Sequence, residues 1–231
     1  MNKRYVIIGA SKGIGLELAR QLSAQGDEVL AFNRTADEPQ GLANVSTFEF
    51  DVTNASEFPA VTGPIDGLVY CPGTINLKPF HRLTEKDFLD DFTVNALGAV
   101  TVIQKLLPNL KEVEHASIVL FSTVAVQTGM GFHASVAAAK GAVEGLTRSL
   151  ASEFAPKIRV NCIAPSLTDT PLAERLLNTP EKREASAILH PLKSIGKPSD
   201  IASMAAFLLS DSGAWMTGQI LHIDGGMSSV R

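Results

Sequence analysis

Cysteine is scarce in this chain. The two present among 231 residues, Cys71 and Cys162, stand in no paired spacing and with no cluster of metal-ligand residues around them. A disulfide framework and a zinc site are thereby excluded, and a reducing cytoplasm is the expected home. No apolar run approaches the ~18 to 20 residues a membrane helix needs. The opening MNKRYVIIGA has basic residues before an apolar stretch, but that stretch is too short for a signal-peptide core and is expected to be a strand. Neither sign of charge dominates: 20 basic residues against 24 acidic ones give a net charge of −4, which leaves no electrostatic footprint for nucleic acid or an anionic membrane. Low complexity, repeats and linkers are also missing. With 45% hydrophobic and 19% charged residues, the chain has material for one large core, and a single domain over 1–231 is expected.

Short apolar segments alternate with longer amphipathic ones from end to end. That pattern predicts βαβ units, an α/β fold of the doubly wound Rossmann type with a seven-stranded parallel sheet covered by helices on both faces. Strands are expected at 5–8, 28–32, 46–50, 67–70, 117–122, 159–163 and 219–223, and helices at 14–25, 85–107, 134–154 and 199–210. Pro108, Gly131 and Pro198 act as punctuation. The segment 54–62 is short for a crossover helix. Residues 170–197, rich in charge and proline, read as a less regular excursion where a substrate lid would sit.

After the first strand comes Gly9-Ala-Ser11-Lys12-Gly13-Ile14-Gly15 and then a helix. Glycines permit a tight turn and close approach of a pyrophosphate, and the helix start supplies unpaired N–H donors, so the segment is a phosphate cradle. After the second strand, Phe32-Asn33-Arg34 offers an arginine where an acid would hydrogen-bond an adenosine ribose. Its planar fork can grip a 2′-phosphate, with Lys12 able to approach the same anion, and this favours NADP over NAD.

The G-x-x-x-G-x-G spacing, and Thr123, Val136 and Lys140 thirteen and four residues apart, resemble the short-chain dehydrogenase/reductase family. Its catalytic block is a serine at a strand end and, thirteen residues on, Tyr-x-x-x-Lys. Here Thr123 falls in the serine slot and Val136 in the tyrosine slot. The resemblance implies that Lys140 binds nicotinamide ribose, that Asn95 bends a helix and holds a water leading to the lysine, and that Thr123 (or its neighbour Ser122) meets the substrate carbonyl. It further implies that Asp51-Val52-Thr53 meets the adenine, that Gly73 in Tyr70-Cys71-Pro72-Gly73 lets the backbone pass the adenosine side, and that Pro165, Thr168 and Thr170 line the nicotinamide site. Ser166 replaces a usual glycine there. Asp200 and the ending 216–226 extend the match over the whole chain.

Valine has no proton to give. Three substitutes are available: His133, three residues earlier, whose imidazole suits proton transfer near neutrality; Ser135, one helical step away; and a water held by Lys140 and Asn95. Cys71 reads as a small buried residue, with no cation adjacent in sequence to activate it. The face formed by Ala137, Ala138, Ala139, Gly141, Ala142 and Gly145 resembles the family's helix pairing into homodimers or homotetramers. The leading expectation is an NADP(H)-dependent oxidoreductase acting on a small carbonyl or alcohol through a non-tyrosine donor. A non-catalytic NADP(H) sensor or scaffold, and non-redox chemistry in the same cleft, stand as alternatives.

Overall fold

A computed structural model describes residues 2–35, 41–54 and 57–230. One parallel sheet of seven strands has the order β3-β2-β1-β4-β5-β6-β7. These are β1 (Arg4–Ile8), β2 (Glu28–Asn33), β3 (Val45–Glu49), β4 (Gly67–Tyr70), β5 (Ala116–Phe121), β6 (Ile158–Pro165) and β7 (Ile220–Ile223). Ile7 pairs with Ala31 on one side and Val69 on the other. The order of strands therefore reverses between β1 and β4, and a crevice opens at their carboxyl ends. All of Val6 to Ile8, and all of β4 and β5, are buried, as strands covered on both faces must be.

Helices α1 (Gly13–Ala24) and α8 (Pro198–Leu209) cover one face with Leu18, Leu22, Ile201, Ala205 and Leu208. The other face carries α3 (Gly98–Leu110) and α5 (Ala134–Phe154), which bury Val102, Ile103, Leu106, Val143 and Ala151. The expected bounds of α5 match the observed ones, and the other sheet and helix ends differ from expectation by at most about three residues.

The helix expected at 85–107 is three pieces. Helix α2 (Glu85–Phe92) starts at a capping box, in which Thr84 Oγ1 accepts from the Asp87 N–H while Asp87 accepts from the Thr84 N–H. A π-helical turn, Thr93–Leu97, follows, and α3 continues to Leu110. Pro108 does not end the helix. It falls in the last turn on the exposed side, so the i→i−4 bond it forgoes leaves the carbonyl of exposed Gln104 rather than a buried one, and that turn is held by buried Leu106 and Leu110 and by Asn109 Nδ2, which donates to Val61 O and Gly63 O.

The excursion 170–197 is more regular than its proline and charge content implied. It contains a 3₁₀ turn (Pro171–Ala173), α6 (Glu174–Leu177) and α7 (Pro180–Ile188). Pro171 and Pro180 stand at first helical positions, where proline starts a helix rather than breaking one, and Thr179 caps α7. Among the described residues of 54–62 no α-helix forms, and residues 55 and 56 lie outside them.

Gly15 fixes α1 against the sheet. A Cβ there would stand 2.2 Å from Gly9 O and 3.1 Å from Ala10 Cα, both backbone. Gly15→Ala should therefore push α1 off β1 and lower unfolding free energy by about 1–3 kcal/mol, measured by urea denaturation.

Candidate active site

The crevice holds two joined spaces. A groove of about 510 Å³ is lined by Gly9, Ser11, Lys12, Gly13, Ile14, Gly15, Asn33, Arg34, Asp51, Val52 and Gly73, together with Thr170. The structure thus brings twelve of the residues expected around a cofactor to one surface. Beside it, a cavity of about 390 Å³ is lined by Thr123, His133, Val136, Lys140, Pro165, Ser166, Thr168 and Thr170.

The groove fits a dinucleotide phosphate. Helix α1 begins at Lys12 with no side-chain cap and no acid in its first turn, so its first N–H groups and its positive dipole end are left for an anion. Gly13 has φ +58°, and a Cβ on it would press on Thr170 at 3.2 Å. The Asn33 side chain is 2% exposed, and neither its Oδ1 nor its Nδ2 has a partner among the described residues. An orphaned buried amide lining a groove is costly unless a ligand satisfies it. Arg34 is exposed beside it. Asp51 Oδ1 accepts from the N–H and hydroxyl of Thr53, both at 2.8 Å; these bonds, and then the Arg34 charge, hold its carboxyl below the usual range.

The cavity is built on the end of β5 and the start of α5. Ser122 Oγ donates to Glu144 Oε1 at 2.7 Å, so its hydroxyl is committed to α5. Thr123 caps the short helix α4 (Val124–Thr128), its Oγ1 accepting from the Ala125 N–H at 3.3 Å, which leaves its own hydrogen free to donate. Lys140 is 7% exposed, and its Nζ donates to Phe121 O at 2.8 Å. Asn95, 1% exposed in the π turn, donates to Thr74 Oγ1 at 2.8 Å and to Asp91 O at 2.7 Å, while its Oδ1 has no partner among the described residues. A Cβ on Gly73 would stand 3.3 Å from Asn95 Oδ1 and 3.4 Å from Lys140 Nζ. The glycine thus keeps open the space between amide and ammonium.

Residues 9–228 match the family model described as enoyl-(acyl carrier protein) reductase. The 3-oxoacyl-[acyl-carrier-protein] reductase FabG of Thermotoga maritima is 32% identical over 97% of this chain and 97% of its own. The reductase MabA of Mycobacterium tuberculosis is 30% identical over 98% of this chain and 93% of its own. The solved structure of ElxO with NADP bound superposes with a TM-score of 0.89 at 26% identity, covering 99% of this chain and all of that one. This chain belongs to the short-chain dehydrogenase/reductases. It is an NAD(P)-dependent oxidoreductase of that family, on their Rossmann-type sheet.

Within the family frame, Val136 lines the cavity at 5% exposure. Neither tyrosine of the chain can replace a missing phenol. Tyr5 is in β1, Tyr70 donates its hydroxyl to Val94 O at 2.6 Å, and burial pushes both phenols far up. Ser135 is buried, its Oγ without a partner among the described residues, and it does not line the cavity. His133 precedes α5 and lines the cavity, with Nδ1 2.7 Å from Gly131 O. A carbonyl only accepts, so Nδ1 carries the proton of the neutral ring, and His133 gives a proton from Nε2 only as imidazolium. Cys71 does have a cation nearby in space, Lys140, but burial outweighs it and pushes the thiol up to about 12; the thiol is inert. No spacing in the sequence points to His190. It is 24 residues from Ser166, yet its Nε2 lies 2.7 Å from Ser166 Oγ on the cavity wall.

Burial lowers Lys140 from 10.5 to about 8, with the nearby thiols opposing. Below pH 8 the ammonium is charged in both folded and unfolded chains, and its burial costs about 3 kcal/mol. Between pH 8 and 10.5 the folded chain has lost a proton that the unfolded chain keeps, so stability rises with pH. Lys140→Met removes this term. The stability of the variant relative to the unmodified protein should fall by about 3 kcal/mol between pH 7 and pH 10.5, read by urea denaturation at both pH values.

Proposed function

We propose that the protein reduces a carbonyl compound to an alcohol with NADPH, using a proton donor other than tyrosine. The observation that carries this reading is the junction of groove and cavity: Ile14, Cys71, Gly73, Thr74, Thr170 and Leu172 line both. A dinucleotide held at Lys12 to Gly15 and Asn33-Arg34 would extend from the groove toward the cavity, where Lys140 and Thr123 stand.

Bound there, NADPH supplies the hydride. Lys140 and Pro165, Thr168 and Thr170 hold and orient the nicotinamide end, and Asp51 and Val52 the adenine. Arg34, with Lys12, selects the 2′-phosphate. Thr123 donates to the substrate carbonyl, and His133 closes one side of the cavity. A water between Asn95 Oδ1 and Lys140 Nζ would satisfy both groups. The excursion 170–197 is the substrate loop of a single domain, and its Leu172 and Leu189, which line the cavity, are 54% and 66% exposed. That apolar rim favours a carbonyl with an apolar substituent, in keeping with the acyl substrates named for FabG and MabA. Exposed Ala138 and Gly145 on α5 support pairing into a homodimer or homotetramer, and the free thiols support a cytoplasmic setting. Among the described residues no helix is long and apolar enough to cross a membrane.

NADPH oxidation across ketones, aldehydes and quinones tests the activity, on the unmodified protein and on Val136→Tyr together. Turnover by the unmodified protein is expected; turnover by the tyrosine variant alone would overturn the reading in favour of a cofactor binder. NADPH should bind about tenfold to a hundredfold more tightly than NADH through charge-assisted hydrogen bonds, and Arg34→Ala should erase most of that preference. Equal affinities in the unmodified protein would overturn the NADP assignment.

A further inference from the structure

Ser166 stands on the turn that follows β6, where the family pattern has glycine. Its Oγ lies 2.7 Å from His190 Nε2 and 3.2 Å from the sulfur of Met227. His190 follows α7 in the excursion and is 2% exposed, and its Nδ1 lies 2.8 Å from Ser186 O. Met227 is held over the serine by a turn in which Asp224 accepts from the N–H groups of Gly226 and Ser228, both at 2.9 Å. Ser166, Ser186, His190 and Met227 all line the cavity that holds Val136 and Lys140.

The hydrogen bonds fix the proton positions. Ser186 O only accepts, so the proton of the neutral ring is on Nδ1, and Nε2 accepts from the Ser166 hydroxyl in preference to the weaker sulfur. In the imidazolium, Nε2 donates to Oγ instead, and the serine hydrogen is released toward a ligand in the cavity. A hydroxyl oriented by an imidazole, itself oriented by a fixed acceptor, is the arrangement by which a buried imidazole exchanges protons with a substrate it does not touch.

We propose that Ser166, backed by His190, supplies the proton that tyrosine supplies in relatives with Tyr-x-x-x-Lys. This rests on the carbonyl-reductase reading above. The substrate carbon gains a hydride and its oxygen gains the Oγ proton. Oγ recovers a proton from Nε2 of the imidazolium, and His190 is reprotonated from solvent after the product leaves. Substrate, NADPH and one proton thus become alcohol and NADP⁺. In alcohol oxidation the same chain runs backwards, with neutral His190 as base. Ser166 is the catalytic residue and His190 positions and recharges it.

The test uses Ser166→Gly, which removes the hydroxyl without adding bulk, and His190→Gln, each beside the unmodified protein on a carbonyl that the panel shows to be reduced. Both should lower kcat by about 10² to 10⁴, the span of a positioned acid, with the NADPH dissociation constant unchanged within about threefold. The double variant should be no slower than the worse single one, as expected of residues acting as a unit. Independently of turnover, ¹⁵N NMR of the cofactor-free protein, assigned through the loss of one of five histidine rings in His190→Gln, should show neutral His190 protonated on Nδ1. Its Nε2 signal should move in Ser166→Gly. Retention of kcat within about threefold in Ser166→Gly, or a ring protonated on Nε2, would overturn the relay while leaving the carbonyl-reductase reading intact. Absence of carbonyl reduction by the unmodified protein would overturn both.

Discussion

The site is organised by a buried ammonium that has no carboxylate partner among the described residues. Lys140 Nζ reaches from α5 to the carbonyl of Phe121 at the end of β5, tying the start of the long helix to the strand that ends at Thr123. A single neutral acceptor does not satisfy three donors, and burial lowers the group to about 8. The residual need is for oxygen acceptors near Gly73, which the hydroxyls of a nicotinamide ribose would provide. On the proposed function, the stability lost at this position would be recovered as affinity for a cofactor, as is usual for preorganised sites.

A second constraint keeps the space beside that ammonium open. The π turn Thr93–Leu97 leaves carbonyls that an α-helix would have used. Asn95 Nδ2 satisfies Asp91 O and the Tyr70 hydroxyl satisfies Val94 O. Gly98 lies against the same phenol, where a Cβ would stand 2.2 Å from its oxygen. Strand β4, the π turn and Gly73 therefore set one another's positions, and Asn95 Oδ1 is delivered toward Lys140 as a result. Asparagine at 95 is more than a bend in a helix, because both its amide hydrogens are engaged and its oxygen alone is left for the site.

Most of this fold is legible in the sequence, for a physical reason. Strands buried on both faces must be largely apolar, so β4 and β5 read plainly even though β5 buries Ser117, whose hydroxyl donates to Leu208 O, and α5 is bounded by a glycine turn on one side and a proline on the other. The glycine turn after β1 reads as a phosphate cradle because its neighbours are a strand and a helix. Two things were hidden. Periodicity does not distinguish α from π, so 85–107 reads as one helix; and proline reads as a terminator at 108, where α3 runs on to Leu110, and as irregularity at 171 and 180, where a place at the first helical position reverses its meaning. In the site, residues adjacent through the Rossmann frame could be placed. Contacts between residues distant in the sequence could not: Ser166 with His190, and Cys71 with Lys140, come together only through the path of the chain in space.

Val136 changes the electrostatics of the cavity as well as its proton inventory. In the family frame a lysine one helical turn from a tyrosine lowers the phenol's pKa, so the lysine's charge serves both cofactor and acid. With valine there, Lys140 has no phenol one helical turn away to tune, and in the proposed reaction its charge would serve ribose and substrate alone. An apolar side chain lining the cavity also offers water no hydrogen bond there, and the lower local dielectric would strengthen each remaining hydrogen bond. A proton must then enter from another wall. The turn after β6 offers one, since a serine has replaced glycine there and the excursion has carried an imidazole to within 2.7 Å of it. On the proposed relay, the valine on α5 and the serine after β6 together place the cavity's proton donor on a different wall from the family's phenol.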